Sequence, residues 1–224
     1  MDNINKIVII GGGLAGCEAA YQISKFDINV DLYEMRPKVK TEAHQTKYLA
    51  ELVCSNSFRS DDKEYNAVGV LHEELRIADS LIMKTADNNK VPAGSALAVD
   101  RDDFAKEVNK SINSISNINV INHEVKDINE FNDQIIIIST GPLTSKKLAE
   151  SIKIKTSENS LAFYDAIAPI VYKETINMSV AWKQSRYDKG NGDDYINCPL
   201  SKEEYYQFIE KIKKSPKMEF KNFE

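Results

Sequence analysis

Ile9-Ile10-Gly11-Gly12-Gly13-Leu14-Ala15-Gly16 decides the fold of this chain. The apolar run at residues 4–10 leading into it is short and nearly continuous, as in a strand buried on both faces. Residues 14–26 behind it have helical period, with Leu14, Ala15, Ala19 and Ile23 on one side. Residues 29–34 read as a second strand. Strand, glycine turn, helix and strand together take about thirty residues, the size of a βαβ unit. In such a unit Gly11 permits the tight turn off the strand, Gly13 lets the backbone approach a pyrophosphate, and Gly16 lets the helix pack closely on the sheet. Gly12, Leu14 and Ala15 complete a cofactor-binding loop whose free amides and helix dipole suit phosphate. Glu34 closes the second strand, placed to accept from ribose hydroxyls. Its charge would repel a 2′-phosphate, which favours FAD or NAD over NADP at this turn. The expected fold class is α/β, with a Rossmann-like FAD-binding domain built on a parallel sheet.

Outward from this unit the pattern changes several times. Residues 35–66 lose periodicity, and a loop of that length inside a compact domain is usually functional or disordered. A helix is expected over 68–85, a short strand over 97–99, and a helix over 101–115 with Asp100 as its N-cap. Strands follow at 118–121 and 134–139, then a short helix at 144–152. The sheet should centre on residues 7–10, with the strands at 29–34 and 134–139 on either side of it or next but one. From residue 161 the runs become strand-like (161–166, 169–172, 179–182). A helix over 201–213 then opens on the capping box Ser201-Lys-Glu-Glu204. The expected division is a first part of the FAD-binding domain over 1–158 and the start of a mixed α+β insertion or substrate domain over 159–224.

Composition narrows the class. With 42% apolar and 28% charged residues in regular periods, the chain has material for a core and does not read as disordered. It has no apolar run long enough for a membrane span. The polar start Met1-Asp2-Asn3-Ile4-Asn5 lacks the basic region of a signal peptide. Cys17, Cys54 and Cys198 stand far apart with no CxxC, which reads as reduced thiols in the cytoplasm rather than a disulfide frame or zinc site. His44, His72 and His123 have no metal-ligand spacing, so no metal is expected and each reads as a surface or satisfied histidine. The net charge of -5 gives no general attraction to nucleic acid but leaves a local basic groove open. The stretch Lys211, Lys213, Lys214 and Lys217 is either a solvated face or an RNA contact.

Two further stretches bear on chemistry. Ser139-Thr140-Gly141-Pro142 ends a buried strand and either brushes the cofactor or is an ordinary turn. Cys54-Ser55-Asn56-Ser57 places a thiol among small polar residues in the long loop. It could sit against a flavin ring if accessible, or be a buried, inert cysteine. Cys17 reads as a small packing residue, and Cys198, in Asn197-Cys198-Pro199, as structural.

Longer strings then appear in order: Gly11-Gly-Gly-Leu-Ala-Gly-Cys-Glu-Ala-Ala20, Tyr33-Glu-Met-Arg-Pro37, Ala50-Glu-Leu-Val-Cys-Ser-Asn-Ser57, Asn66-Ala-Val-Gly-Val-Leu71, Val91-Pro-Ala-Gly94, Ala96-Leu-Ala-Val-Asp-Arg101 and Thr140-Gly-Pro-Leu-Thr-Ser145. Phe163-Tyr-Asp-Ala166, Ser185-Arg-Tyr187 and Tyr195-Ile-Asn-Cys-Pro199 complete them. Together they closely resemble the folate- and FAD-dependent tRNA (uracil-5-)-methyltransferases over essentially the whole chain. The resemblance implies that methylenetetrahydrofolate donates a one-carbon unit by way of FAD to C5 of a uridine in the tRNA T-loop, with NAD(P)H as reductant. It maps one catalytic cysteine onto Cys54. The family's second cysteine follows a Phe-Glu pair, which here is Phe223-Glu224 at the chain's end, so it has no counterpart. Family members run to roughly twice this length, so the chain reads as an N-terminal portion. Three other readings stay open. The related flavin protein of wobble-uridine modification carries Cys-Asn-Pro where this chain has Cys54-Ser-Asn-Ser57. A generic FAD or NAD oxidoreductase leaves the later strings unexplained. A non-catalytic remnant that binds FAD weakly fits the missing half.

Overall fold

The structure is a computed structural model that describes residues 4–157, 171–185 and 192–216. In chain order the elements are β1 (Lys6–Ile10), α1 (Leu14–Ser24), β2 (Asn29–Glu34), β3 (Ser57–Ser60), α2 (Ala67–Ile77), α3 (Leu81–Asn88), β4 (Lys90–Val91) and β5 (Ala96–Val99). They continue with α4 (Arg101–Asn113), β6 (Ile118–Asn122), β7 (Ile135–Ile138), α5 (Lys146–Thr156), β8 (Trp182–Lys183), β9 (Ile196–Asn197) and α6 (Lys202–Lys214). The chain divides into two compact units, Met1–Val91 with Ser95–Ala168, and Pro92–Gly94 with Pro169–Glu224.

The first unit holds a four-stranded sheet in the order β6-β2-β1-β7. Every pairing in it is parallel. The strands expected beside β1 do flank it. Because successive side chains of a strand point to opposite faces, the apolar run of β1 serves two cores. Ile7 and Ile9 enter a cluster with Cys17 and Ala20 of α1, Met83 of α3 and Phe104 and Val108 of α4. Val8 and Ile10 enter a second cluster with Val125, Ile128, Phe131 and Leu148. A sheet covered on both faces is the condition under which strands read as unbroken apolar runs. The unit is a Rossmann-like α/β fold. A smaller antiparallel sheet, β3-β5-β4, sits within the same unit.

Local chemistry sets the ends of the helices. Asp100 caps α4, its carboxylate accepting from the amides of Asp102 and Asp103 at 3.0 Å each. Asp100→Ala is expected to cost about 1 kcal/mol of stability, read as a lower urea midpoint with an unchanged slope. The single helix expected over 68–85 is two helices. Asp79 takes a left-handed φ of 55°, and the Ser80 hydroxyl accepts from the Met83 amide at 3.2 Å to start α3 afresh. Glu18 of α1 fixes this break by accepting from the Ser80 hydroxyl and the Ile82 amide. Apolar spacing runs on across the break, so periodicity could not reveal it.

The second unit, taken by itself, pairs β8 with β9 antiparallel. It includes Pro92–Gly94, where the Tyr195 hydroxyl donates to the Ala93 carbonyl. The expected strand over 179–182 is instead a turn closed by the Ala181 amide on the Asn177 carbonyl, with β8 starting at its last residue. The box at Ser201 forms, each partner satisfying the other's amide. The boundary expected between 158 and 159, the run at 161–166 and residues 217–224 lie outside the described residues. Among the described residues no helix is long and apolar enough to cross a membrane.

Candidate functional site

The ends of β1, β2 and β7 open on a cavity of about 300 Å³. Gly11, Gly12, Gly13, Leu14, Ala15 and Glu34 all line it, together with residues 139–145 after β7. In an open parallel sheet such a crevice beyond the strand ends is where ligands bind.

The glycines separate into different roles. A Cβ on Gly16 would lie 1.8 Å from the Gly11 carbonyl oxygen, so this position locks α1 onto the turn rather than facing the cavity. A Cβ on Gly12 would meet Leu49 at 2.5 Å and the Glu34 carboxylate at 2.8 Å. A Cβ on Gly13 would meet nothing within 4 Å. Gly13 has an ordinary φ of -77°, and no side chain caps the helix it starts. Its bare backbone therefore borders open space at a helix N-terminus, where amide groups and the helix dipole favour an anion.

Glu34 is buried at 6% exposure and fully engaged. Its Oε2 accepts from the Gly12 amide at 3.0 Å and from Arg36 Nη2 at 3.2 Å. Its Oε1 accepts from the Arg36 amide at 3.0 Å and from Arg36 Nε at 2.9 Å. Burial works against the charge, but the bonds and charge of Arg36 and the amide bonds outweigh it and hold the carboxyl below the usual glutamate value. Stability from this depressed group is present above its ordinary value of 4.5 and is lost as pH falls through the lower folded value. The urea midpoint is expected to hold near neutrality and fall below about pH 4.5, more shallowly in Glu34→Gln; identical acid limbs would count against it.

Arg36 is itself 2% exposed and bridges Glu34 to Glu51, donating from Nη1 to Glu51 Oε2 at 2.9 Å. The sequence does not single out Arg36 or Glu51 as a site residue, although both fall within strings that carry the family resemblance, and Glu51 is the one charge in Leu49-Ala50-Glu51-Leu52-Val53. His44 and His123, read as surface or satisfied residues, both line the cavity. His44 Nδ1 pairs with the Thr41 hydroxyl at 2.8 Å, and the His123 amide donates to the Glu34 carbonyl.

Ser139 and Thr140 reach the glycine turn. The Ser139 hydroxyl donates to the Ile10 and Gly11 carbonyls, and its amide donates to Ile10. Cys54 lies one residue beyond Val53, which lines the cavity. It is exposed, not buried, and Arg101 Nη2 donates to its carbonyl at 3.2 Å. Cys17 is buried in the core, where burial pushes its thiol up to about 12; it is a packing residue. Cys198 is exposed in the second unit. Among the described residues no group of three or more His, Cys, Asp or Glu side chains is placed to hold a metal.

Comparison with known proteins adds a family. Residues 6–224 match the family described as glucose inhibited division protein A. A methylenetetrahydrofolate–tRNA-(uracil-5-)-methyltransferase TrmFO of Bartonella henselae is 58% identical over 97% of this chain and 47% of its own length. Its namesake in Bartonella bacilliformis is 58% identical over 97% of this chain and 48% of its own. The same-named protein of Bradyrhizobium diazoefficiens is 55% identical over 98% of this chain and 47% of its own. The chain thus spans about half the length of the relatives it matches.

Proposed function

The chain belongs to the glucose inhibited division protein A family, and from that premise we propose that it forms the nucleotide-binding part of a flavin enzyme. That enzyme methylates C5 of a tRNA T-loop uridine, with methylenetetrahydrofolate as one-carbon donor and NAD(P)H as reductant. The observation that carries this reading is the bare Gly13 turn at the start of α1, facing a cavity that also holds the Glu34 carboxylate. The shared name of the 52–58% identical relatives supports the uridine C5 reaction over wobble-uridine chemistry. We place the reaction in the cytoplasm, with tRNA.

FAD fits the site. The open space beside Gly13 would take the pyrophosphate, the amides at 11–15 would bind it, and Glu34 would meet the adenosine ribose. When bound, FAD supplies the redox chemistry that turns a one-carbon unit into a methyl group. The chain's own part in the reaction is assigned to Cys54. Uracil C5 is a poor nucleophile until a thiolate adds at C6, and the Cys54 thiol, exposed and one residue beyond the cavity-lining Val53, is accessible for that addition. A base must also take the C5 proton.

A second reading is favoured by the coverage of about half of the relatives. The 224-residue chain alone would bind nucleotide without turnover. One titration tests the shared premise. FAD added to the chain should give saturable quenching of flavin fluorescence, reversed by excess ADP. Linear, non-saturating behaviour would reject the flavin site. Binding of tRNA by the longer protein should weaken steeply with salt, as phosphate contacts demand.

A further inference from the structure

The cavity wall contains a charged connection that the proposed reaction does not use. Arg36 is buried between two carboxylates, Glu34 on one side and Glu51 on the other. A carboxylate offers about four lone-pair positions. Glu34 has all four met by protein donors, three of them from Arg36. A ribose hydroxyl donating to Glu34 must therefore share or displace one of these four bonds, three of which come from Arg36. The guanidinium cannot follow into water, because it is buried, and the other acceptor it holds is Glu51.

Glu51 in turn organises the loop that carries Cys54. Its Oε1 accepts from the Gln45 amide at 2.7 Å and the Thr46 amide at 3.2 Å. Its Oε2 accepts from the Thr46 hydroxyl at 3.0 Å. The next stretch of the loop docks on the glycine turn. The Ala50 amide donates to the Gly12 carbonyl at 2.8 Å, and Leu49 packs where a Gly12 Cβ would stand. Ala50 holds a left-handed φ of 52° in this docked form, a conformation an alanine adopts only where its surroundings impose it. Cys54 follows Glu51 by three residues.

We propose that Arg36 is a relay: a nucleotide ribose on Glu34 weakens the hold of Glu34 on Arg36, strengthens the Arg36–Glu51 bond already present, and so tightens the docked loop that presents Cys54. Arg36 and Glu51 are then positioning residues for the thiol. The relay rests on the nucleotide reading of the glycine turn. It gives the buried arginine a reason to join two acids rather than one. Linkage makes it reciprocal, so the factor by which bound nucleotide closes the loop equals the factor by which the closed loop tightens nucleotide.

Hydrogen–deuterium exchange on the full 224-residue chain tests it, with the Ala50 amide as reporter and the β2 amides as fold control. Saturating FAD is expected to raise protection across residues 45–54 by about tenfold or more in the parent. Glu51→Gln, brought to saturation at its own affinity, should show less than a twofold rise and bind FAD more weakly by the missing factor. Arg36→Lys, which keeps the charge but loses the fork, should behave like Glu51→Gln. FAD bound, by its own fluorescence, with no rise in loop protection overturns the relay and leaves the flavin reading standing. A rise with ADP but no binding of FAD keeps the relay and rejects the flavin reading. An equal rise in parent and Glu51→Gln overturns the relay, and binding of neither FAD nor ADP overturns both. Should Glu51→Gln lose β2 protection, Arg36→Lys decides in its place: a rise below twofold supports the relay, and a rise equal to the parent's overturns it.

Discussion

Gly13→Val is expected to fold like the parent and lose FAD binding by about a hundredfold or more, a loss near 2.7 kcal/mol. Gly16→Val is expected not to fold. The two glycines lie three residues apart in one motif, yet their surroundings are opposite. Gly13 has a φ of -77°, so valine imposes no backbone strain there, and its side chain would enter open space. That space is where the pyrophosphate would lie, so the methyl groups exclude the ligand and little else. At Gly16 even a methyl would stand 1.8 Å from the Gly11 oxygen and 2.7 Å from Ser139 Oγ. Relief there requires α1 to lift off the turn, which opens the core around Cys17 and Ala20. Circular dichroism melts and flavin titrations on the two variants separate the cases. Full flavin occupancy in Gly13→Val would place the nucleotide elsewhere.

The same contrast explains what the sequence could disclose. β1, the glycine turn and α1 were legible because each obeys a local rule: apolar on both faces, glycine where backbones meet, helical period against the sheet. The caps at Asp100 and Ser201 were legible because a cap is a contact over two or three residues. The break between α2 and α3 was not, since it depends on Glu18, more than sixty residues away in sequence from Ser80 and Ile82. Nor was the Glu34–Arg36–Glu51 set. Glu34 ends a legible strand, but Arg36 and Glu51 lie in the stretch without periodicity that follows, and their pairing across fifteen residues depends on how that loop folds back on the glycine turn. His44 and His123 illustrate the converse. Each is a surface or satisfied residue as expected, His123 exposed and His44 bonded to Thr41, but spacing alone could not show that both line one cavity.

Cys54→Ala is expected to reduce uridine methylation by about a thousandfold or more in a protein that carries this chain together with the remaining length its relatives have. Covalent addition at C6 splits one difficult step into two easier ones. Groups that act as a unit lose most of their effect when one is removed. The 224-residue chain by itself is expected to show no transfer, because of the two cysteines that the family resemblance implies it supplies only Cys54, which is exposed and one residue beyond the cavity-lining Val53. Cys17 is unavailable: it is buried, and its thiol is pushed up to about 12. Cys198→Ala provides the control. It is exposed and matches neither cysteine that the family resemblance ties to the reaction, and its removal should leave transfer in the longer protein within about twofold of the parent. The assay is the passage of label from methylenetetrahydrofolate into a T-loop transcript with NADH or NADPH present. Transfer by the unextended chain that is lost in Cys198→Ala would make Cys198 the second thiol. Transfer by the longer protein that survives Cys54→Ala would remove Cys54 from the chemistry.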